Sequence, residues 1–287
     1  MVWDTSIHSM LTKLIILLNG LASSAAAVLL APVAWLPGWL SLTAIAGVTG
    51  VLMLLVFKYT SNQFAIRHTR SQIKANILAL SLYRDSVAVG LRAQGRILYS
   101  AARLIYYSLV PMLLMIVPTV LLLGQISQWY EFRPLKINEE AVVTVQLASS
   151  ETIAYYDLNL VNTPAIQTSV GPVRVPSKRL MCWNVAATEA GEHALIFQSP
   201  DHQYSKELVV GDGYRRTSAR RPAEDWVELL LNPWESPFPE DSVVQSIEIA
   251  YPKRSSWLSG STTWLPVWFV VSLIAAFAAK PILNVSI

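Results

Sequence analysis

Residues 104–130 read LIYYSLVPMLLMIVPTVLLLGQISQWY, 27 positions without one Asp, Glu, Lys or Arg. A helix needs about 20 predominantly apolar residues to cross the hydrocarbon core of a bilayer, so this stretch predicts a membrane span. Two more charge-free runs flank it, 44 residues at 14–57 and 25 at 255–279. The composition of the 287-residue chain agrees: 53% hydrophobic, 14% charged, mean hydropathy +0.41. A soluble chain carries about 25% charged residues. Disorder, a coiled-coil rod, a collagen-like fibre and an ordinary soluble enzyme are excluded. The single cysteine, Cys182, permits no intrachain disulfide and no cysteine-built metal site.

The first run is too long for one helix and is broken at Pro32, Pro37 and Gly38. Either two helices form a pair of spans, or residues 1–37 hold an interfacial helix and only 38–58 crosses. The second reading is preferred. Its first part is only moderately apolar, with Asn19, Gly20, Ser23 and Ser24, and Trp35 and Trp39 flank the break, where aromatic residues favour the headgroup level. Lys13 is the only early positive charge and the apolar run continues far beyond any cleavage point, so a cleaved signal peptide is not expected. The 104–130 span carries Pro111 and Pro118 near one face, positions at which a helix loses a backbone donor and bends. The last span lies in 255–287, between Trp257, Trp264 and Trp268 at one end and Lys280 at the other.

Charge sets the expected orientation. From Lys58 to Arg103 there are eight basic residues and one acid, Asp85. Short loops rich in Lys and Arg stay in the cytoplasm. From 131 to 254 there are 17 acids against 12 bases, which predicts an extracytoplasmic segment. The cytoplasmic stretch 59–103 is expected to be a helical hairpin turning near 85–90. Ile66, Ile73, Ile77, Leu80, Val87, Leu91 and Leu98 follow heptad spacing, and no proline interrupts them. Arms of about 20 residues would be roughly 30 Å long. Arg67, Arg70, Lys74, Arg84, Arg92 and Arg96 make this hairpin either a solvated basic element or a docking surface for anionic lipid or a ribosome. Stacking aromatics are too sparse for sequence-specific nucleic-acid reading.

Residues 131–254 read as an all-β, immunoglobulin-like sandwich of about 120 residues. Strands are expected at 141–147, 152–160, 172–175, 179–187, 192–198, 203–210 and 243–250. Turn signals such as Asn162-Thr-Pro and Gly211-Asp-Gly213 separate them. Trp183 and Cys182 are the expected core pair. A short helix at 223–231 precedes a proline-rich linker. No Gly-x-Ser-x-Gly, Walker or dinucleotide motif occurs, and His8, His68, His193 and His202 show no ligand spacing. Glu139, Glu140, Glu224 and Asp225 read as turn and helix-start residues. Arg215, Arg216, Arg220 and Arg221 read as a solvated loop, or as contacts to membrane phosphates or an acidic partner. Neither an enzyme, nor a metal site, nor a cofactor is expected.

The order of parts resembles a known plan. A first helix precedes the span ending Val-Leu-Met-Leu-Leu-Val-Phe-Lys-Tyr-Thr-Ser-Asn-Gln (51–63); then come a basic hairpin and a proline-bearing span that starts near Ala-Gln-Gly-Arg-Ile-Leu (93–98). This resembles the YidC-type membrane insertase superfamily. It is most similar to the reduced three-span members, the archaeal YidC-like proteins and the insertase subunit of the ER membrane complex. It is also similar to uncharacterised bacterial membrane proteins with the same Thr-Ser-Asn-Gln and Arg-Pro-Leu (133–135) segments. The resemblance covers about residues 10–130 and 260–285. It implies a hydrophilic groove, open to cytoplasm and lipid, that lowers the cost of moving polar parts of a client across the membrane. A charge at the bilayer centre costs at least about 2.5–3.5 kcal/mol. The groove and substrate-contact candidates are Thr43, Thr49, Lys58, Arg103, Ser108, Pro111, Pro118, Thr119 and Gln125, with Ser272 on the last span. Two features differ from the family: no span carries a central arginine, and the β domain lies between the second and third spans.

The sequence therefore predicts a multi-domain protein of a bacterial cytoplasmic (inner) membrane. Its expected role is insertase or membrane chaperone for membrane-protein clients. The alternative is a non-catalytic structural or assembly subunit whose β domain binds an extracytoplasmic partner. Helix packing discriminates them. An open groove lined by Thr43, Thr49, Ser108 and Gln125 favours the first, and polar residues bonded to one another favour the second.

Overall fold

The structure is a computed structural model, and its described residues are 10, 12–20, 22–24, 30, 36–82, 87–149, 156–239, 241–255 and 263–285. The helices of the first half are α1 (Thr12–Ser24), α2 (Gly38–Thr60), α3 (Gln63–Leu82) and α4 (Val87–Tyr130). A strand-rich region follows, with a short helix α5 (Trp226–Leu231), and α6 (Trp264–Leu283) ends the chain. Three of these helices are long and apolar enough to cross a membrane: α2, the Gly90–Tyr130 part of α4, and α6. The chain is thus a multi-pass membrane protein by length and composition of its helices, with a separate β region. Of the 14–33 segment, residues 14–20, 22–24 and 30 are helical, and the rest lies outside the described residues.

The breaks between helices have local causes. Pro37 starts α2, its carbonyl accepting the amides of Leu40 and Ser41, both at 3.0 Å. After Thr60 the chain turns at Ser61 and Asn62. Asn62 Oδ1 accepts the Ala65 amide at 3.0 Å, a side-chain N-cap for α3. The Gln63 amide group closes the turn on the Ser61 hydroxyl. The Thr-Ser-Asn-Gln segment is therefore a helix break with its own cap. Of the expected turn near 85–90, residues 87–90 are helical: α3 ends at Leu82 and α4 begins at Val87. Residues 83–86, and with them Arg84, lie outside the described residues.

Two sequence boundaries are corrected. No element ends at residue 103. α4 runs 44 residues without interruption, about 66 Å, through both Pro111 and Pro118. The change from polar to apolar composition near 103 is not a change of backbone. The heptad set is also revised, because Leu91 and Leu98 are 65% and 72% exposed. The covered stripe of α4 instead runs through Gly90, Ala93, Ile97, Ser100 and Leu104, with Ala93 and Ser100 buried. On α3 it runs through Ile66, Thr69, Ile73, Asn76 and Leu80.

The β region has eight strands: β1 (Glu140–Leu147), β2 (Asn159–Leu160), β3 (Ile166–Val175), β4 (Leu180–Ala187), β5 (Gly191–Gln198), β6 (Gln203–Val210), β7 (Arg220–Pro222) and β8 (Val244–Ile249). One sheet has the order β3-β4-β1-β8-β7 and the other β2-β5-β6. Both contribute to one core, in which Val143, Val145, Met181, Val185, Leu195, Phe197, Leu208 and Ile247 are fully buried. The alternation of β1 explains its place: Ala141, Val143, Val145 and Leu147 face inward, and Glu140 and Val142 face outward. An immunoglobulin constant-type domain keeps its first strand at a sheet edge, in the order ABED. Here β1 is central, paired to β4 on one side and β8 on the other. Trp183 is a core residue, set edge-on to Phe197 with centroids 5.1 Å apart. Cys182, one residue earlier, faces the other side of the sheet, where its sulfur lies 3.9 Å from the Thr144 hydroxyl, so the expected Cys–Trp core pair does not form. Gly171, at φ +143°, passes over Trp183; a Cβ there would sit 2.5 Å from the indole, so only glycine fits.

The chain divides into two compact units, 1–42 with 120–265, and 43–119 with 266–287. In the first, specific bonds join the end of α4 to the start of α2, to α1 and to the β domain, and α1 to α5. Tyr130 donates to Ser41 Oγ at 2.8 Å, and its ring packs on Tyr214, which lies 4.0 Å beneath the Arg254 guanidinium. Gln125 donates to Ser23 Oγ at 2.8 Å, and Asn19 donates to the Leu229 carbonyl at 2.7 Å. A side chain at Gly38 would collide with the Tyr214 ring.

Candidate functional site

In the second unit, α2 and α6 approach closely at Gly50. A Cβ on Gly50 would overlap the Ser272 carbonyl, so glycine sets the contact. One turn from it, Trp268 Nε1 donates to Thr49 Oγ1 at 3.1 Å, and Thr49 donates back to the Ala46 carbonyl at 3.0 Å. Thr49 is 5% exposed and Trp268 also 5%. At the other end of α6, Arg67 of α3 donates to the Asn284 carbonyl at 2.8 Å. Between these anchors α6 is thinly covered: 6% of its most apolar window is buried, against 33% for α2 and 28% for α4.

Along the apolar stretches of its helices, the residues left half-covered include apolar, small and weakly polar ones. On α2 they include Met53 and Phe57; on α4, Tyr107, Ser108, Met115, Pro118 and Thr119; on α6, Ser272, Ala275, Ala276 and Ala279. Thr119 Oγ1 donates to the Met115 carbonyl at 2.7 Å and lies 3.6 Å from Met53 Sδ. Ser108 likewise donates to Leu104 O at 3.0 Å. Such hydroxyls are satisfied within their own helix and present only their carbon and lone-pair sides. Methionine adds a flexible, polarisable surface suited to varied apolar partners.

The predicted groove residues are thus only partly brought together. Ser108, Pro118 and Thr119 share the half-covered faces, and Pro111 is buried on the same helix. Thr49 is buried, its hydroxyl accepting from the Trp268 indole. Gln125 belongs to the other unit and is 4% exposed, bonded to Ser23. Thr43 is exposed. Lys58 is half-exposed, its ammonium 6.0 Å from the Tyr59 ring, and Arg103 is exposed, with Nε 2.9 Å from the Tyr107 hydroxyl. Of the hairpin cations, Arg67, Lys74, Arg92 and Arg96 are exposed and Arg70 is half-buried. The sequence does not reveal the Thr49–Trp268 bond, whose partners stand 219 positions apart.

The β domain holds a polar cleft of about 420 Å³ beside β6, lined by Glu192, His193, Lys206, Glu207, Arg221 and Glu235, among others. Lys206 is fully buried. Its ammonium donates to Glu235 Oε1 at 2.5 Å and to the Ser218 carbonyl at 2.6 Å. Burial pushes that ammonium below its ordinary pKa, and Glu235 opposes the shift. Along the outer edge of β6, Arg221 donates to Ser205 O, Glu235 accepts from Glu207 N, and Tyr251 accepts from Val209 N. These side chains satisfy backbone groups that another strand would otherwise pair, a device that protects a sheet edge. Arg216 stacks on Trp234 at 2.9 Å, Arg221 lies 4.2 Å over Phe238, and Arg220 pairs with Glu228 at 3.5 Å. Arg216, Arg220 and Arg221 are therefore braces inside the domain and not parts of a solvated loop, while Arg215 is exposed. Glu139 is likewise an ion-pair partner, held by both Arg133 Nη atoms at 2.7 Å. Among the described residues no three His, Cys, Asp or Glu side chains converge on a metal position.

Comparison with family models, curated proteins and solved structures finds no match to this chain. What the geometry defines, among the described residues, is a class: three helices long and apolar enough to cross a membrane, with a separate, polar-braced β domain.

Proposed function

We propose that the chain is a YidC-like membrane protein insertase or membrane chaperone of a bacterial cytoplasmic membrane. In this reading the β domain lies outside and the α3–α4 arm forms a basic hairpin inside. The supporting observation is the contrast between the two units. The β domain closes a core at zero exposure, whereas α2, α4 and α6 leave Met53, Ser108, Met115, Thr119 and the small face of α6 half-covered. A helix or hydrophobic segment of a client fits such a surface. The cations Arg67, Lys74, Arg92 and Arg96 on the arm suit the approach of an acidic client or a ribosome. The mechanism needs no chemistry: the client exchanges lipid contacts for the half-covered face, which lowers the barrier for its polar flank.

The test is insertion into liposomes containing the purified chain. A single-span client with an acidic translocated tail should gain protease protection several-fold over empty liposomes. Equal protection would overturn the proposal. Arg92→Glu with Arg96→Glu should reduce the yield while leaving the chain folded.

A second reading has one observation of its own. Thr49–Trp268 and Gln125–Ser23 are internal pairs of the kind that hold a permanent bundle together. They favour a non-catalytic subunit whose β domain binds an extracytoplasmic partner. A single stoichiometric protein that copurifies through mild detergent and leaves liposome insertion at background would support it.

A further inference from the structure

We infer that α5 is an interfacial foot: Trp226, Val227, Leu230 and Leu231 enter the headgroup–acyl boundary of the bilayer on the β-domain side. The inference rests on α4 crossing a bilayer and is independent of what the spans do there.

The helix is too short to bury much of itself within the domain. Only Leu229 is buried, at 2% exposure. At 3.6 residues per turn, Trp226, Leu230, Val227 and Leu231 fall in one arc of about 140°. Trp226 is 39% exposed, Val227 42% and Leu231 56%, three large apolar side chains on a helix of six residues. The charges are held off that arc. Asp225 caps the helix through the Val227 amide, and Glu228 pairs with Arg220 at 3.5 Å.

The position of α5 within its unit identifies what covers this arc. A Cβ on Gly124 of α4 would meet the Leu230 carbonyl at 2.6 Å and the Pro233 ring at 3.4 Å. Gly124 stands six residues before the end of α4, about 9 Å along the helix and within its apolar window. Asn19 of α1 donates to the Leu229 carbonyl from the same level. The end of α5 is thus fixed beside the last turns of α4, within the charge-free run 104–130. An exposed apolar arc with a tryptophan, on a helix whose one acid is drawn to Arg220, fits a helix lying in the interface.

The experiment uses the full chain in liposomes with Cys182→Ser as background. An environment-sensitive fluorophore is placed at Leu231→Cys and, separately, at Trp226→Cys. Glu248→Cys, exposed on β8, serves as the aqueous reference. Both α5 probes should be quenched by lipids carrying a nitroxide at a shallow acyl position and shielded from aqueous iodide, with the reverse at 248. Iodide quenching of both α5 probes equal to that at 248 would overturn the inference. Shielding of both from iodide and nitroxide alike would also overturn it, since protein would then cover the arc. Two independent sites separate a local failure to fold from a wrong placement.

Discussion

Lys206 shows how much one residue can hold. Its ammonium lies in the β domain at zero side-chain exposure with Glu235 beside it. Removing one partner of a buried pair leaves an uncompensated charge, which costs about 3–5 kcal/mol. Glu235→Ala should therefore lower the unfolding free energy of the domain by that amount. Lys206→Met with Glu235→Gln, an uncharged pair of similar volume, should be near neutral. Denaturant unfolding of the full chain in detergent, followed through the tryptophans, measures both. The Arg133–Glu139 pair makes a pH prediction. Hydrogen bonds from Arg133 hold the Glu139 carboxyl down to about 2, below its ordinary 4.5. A carboxyl depressed in the folded state stabilises fully above its unfolded value and loses that contribution as pH falls towards the folded one. Wild type should thus lose stability between about pH 4.5 and 2 more steeply than Arg133→Met; identical slopes would contradict the pairing. The sequence assigns Glu139 to a turn correctly, but its six-residue reach back to Arg133 is a fact of the folded loop.

At the scale of elements, Asn62 and Gly50 are the positions to change. Asn62→Ala removes the side-chain cap of α3 and should cost about 1 kcal/mol in thermal unfolding. Gly50→Ala places a methyl against the Ser272 carbonyl and should cost about 1–3 kcal/mol by overpacking. Gly47→Ala, where nothing lies within 4 Å, should be neutral or slightly stabilising. Equal effects at 47 and 50 would contradict the close approach of α2 and α6. The three spans were legible because a run without charge has few other stable fates. The helix does not end at residue 103, because α4's backbone bonds ignore the change from polar to apolar side chains there. Leu91 and Leu98 matched a heptad, yet the stripe with Gly90, Ala93 and Ser100 is covered; small residues allow the closer approach. Strands β4 to β6 were legible from alternation and from glycine and proline turns. β7 was not, since three residues ending in Pro222 carry no periodic signal.

At the scale of the whole molecule, the β domain was legible as a layer of short strands, but its strand order was not. Pairing of β1 with β8 joins residues about 100 positions apart, and only the complete core decides it. The candidate site was less legible still. Polarity marked Thr49 and Gln125, and the fold assigns each to a partner that sequence distance hides. The orientation carries its own prediction: protease added to spheroplasts should cut within 131–254 and spare the α3–α4 arm. Cleavage confined to the arm would reverse the topology. The central claim is that the half-covered faces of α2, α4 and α6 receive client segments. Photo-crosslinkers at Ser108 and Met115 in living cells, with Val142 on the β domain as reference, test it most directly. The account predicts many short-lived nascent membrane proteins in the adducts from 108 and 115 and none of them from 142. A single stable partner at both sites, or lipid alone, would contradict it.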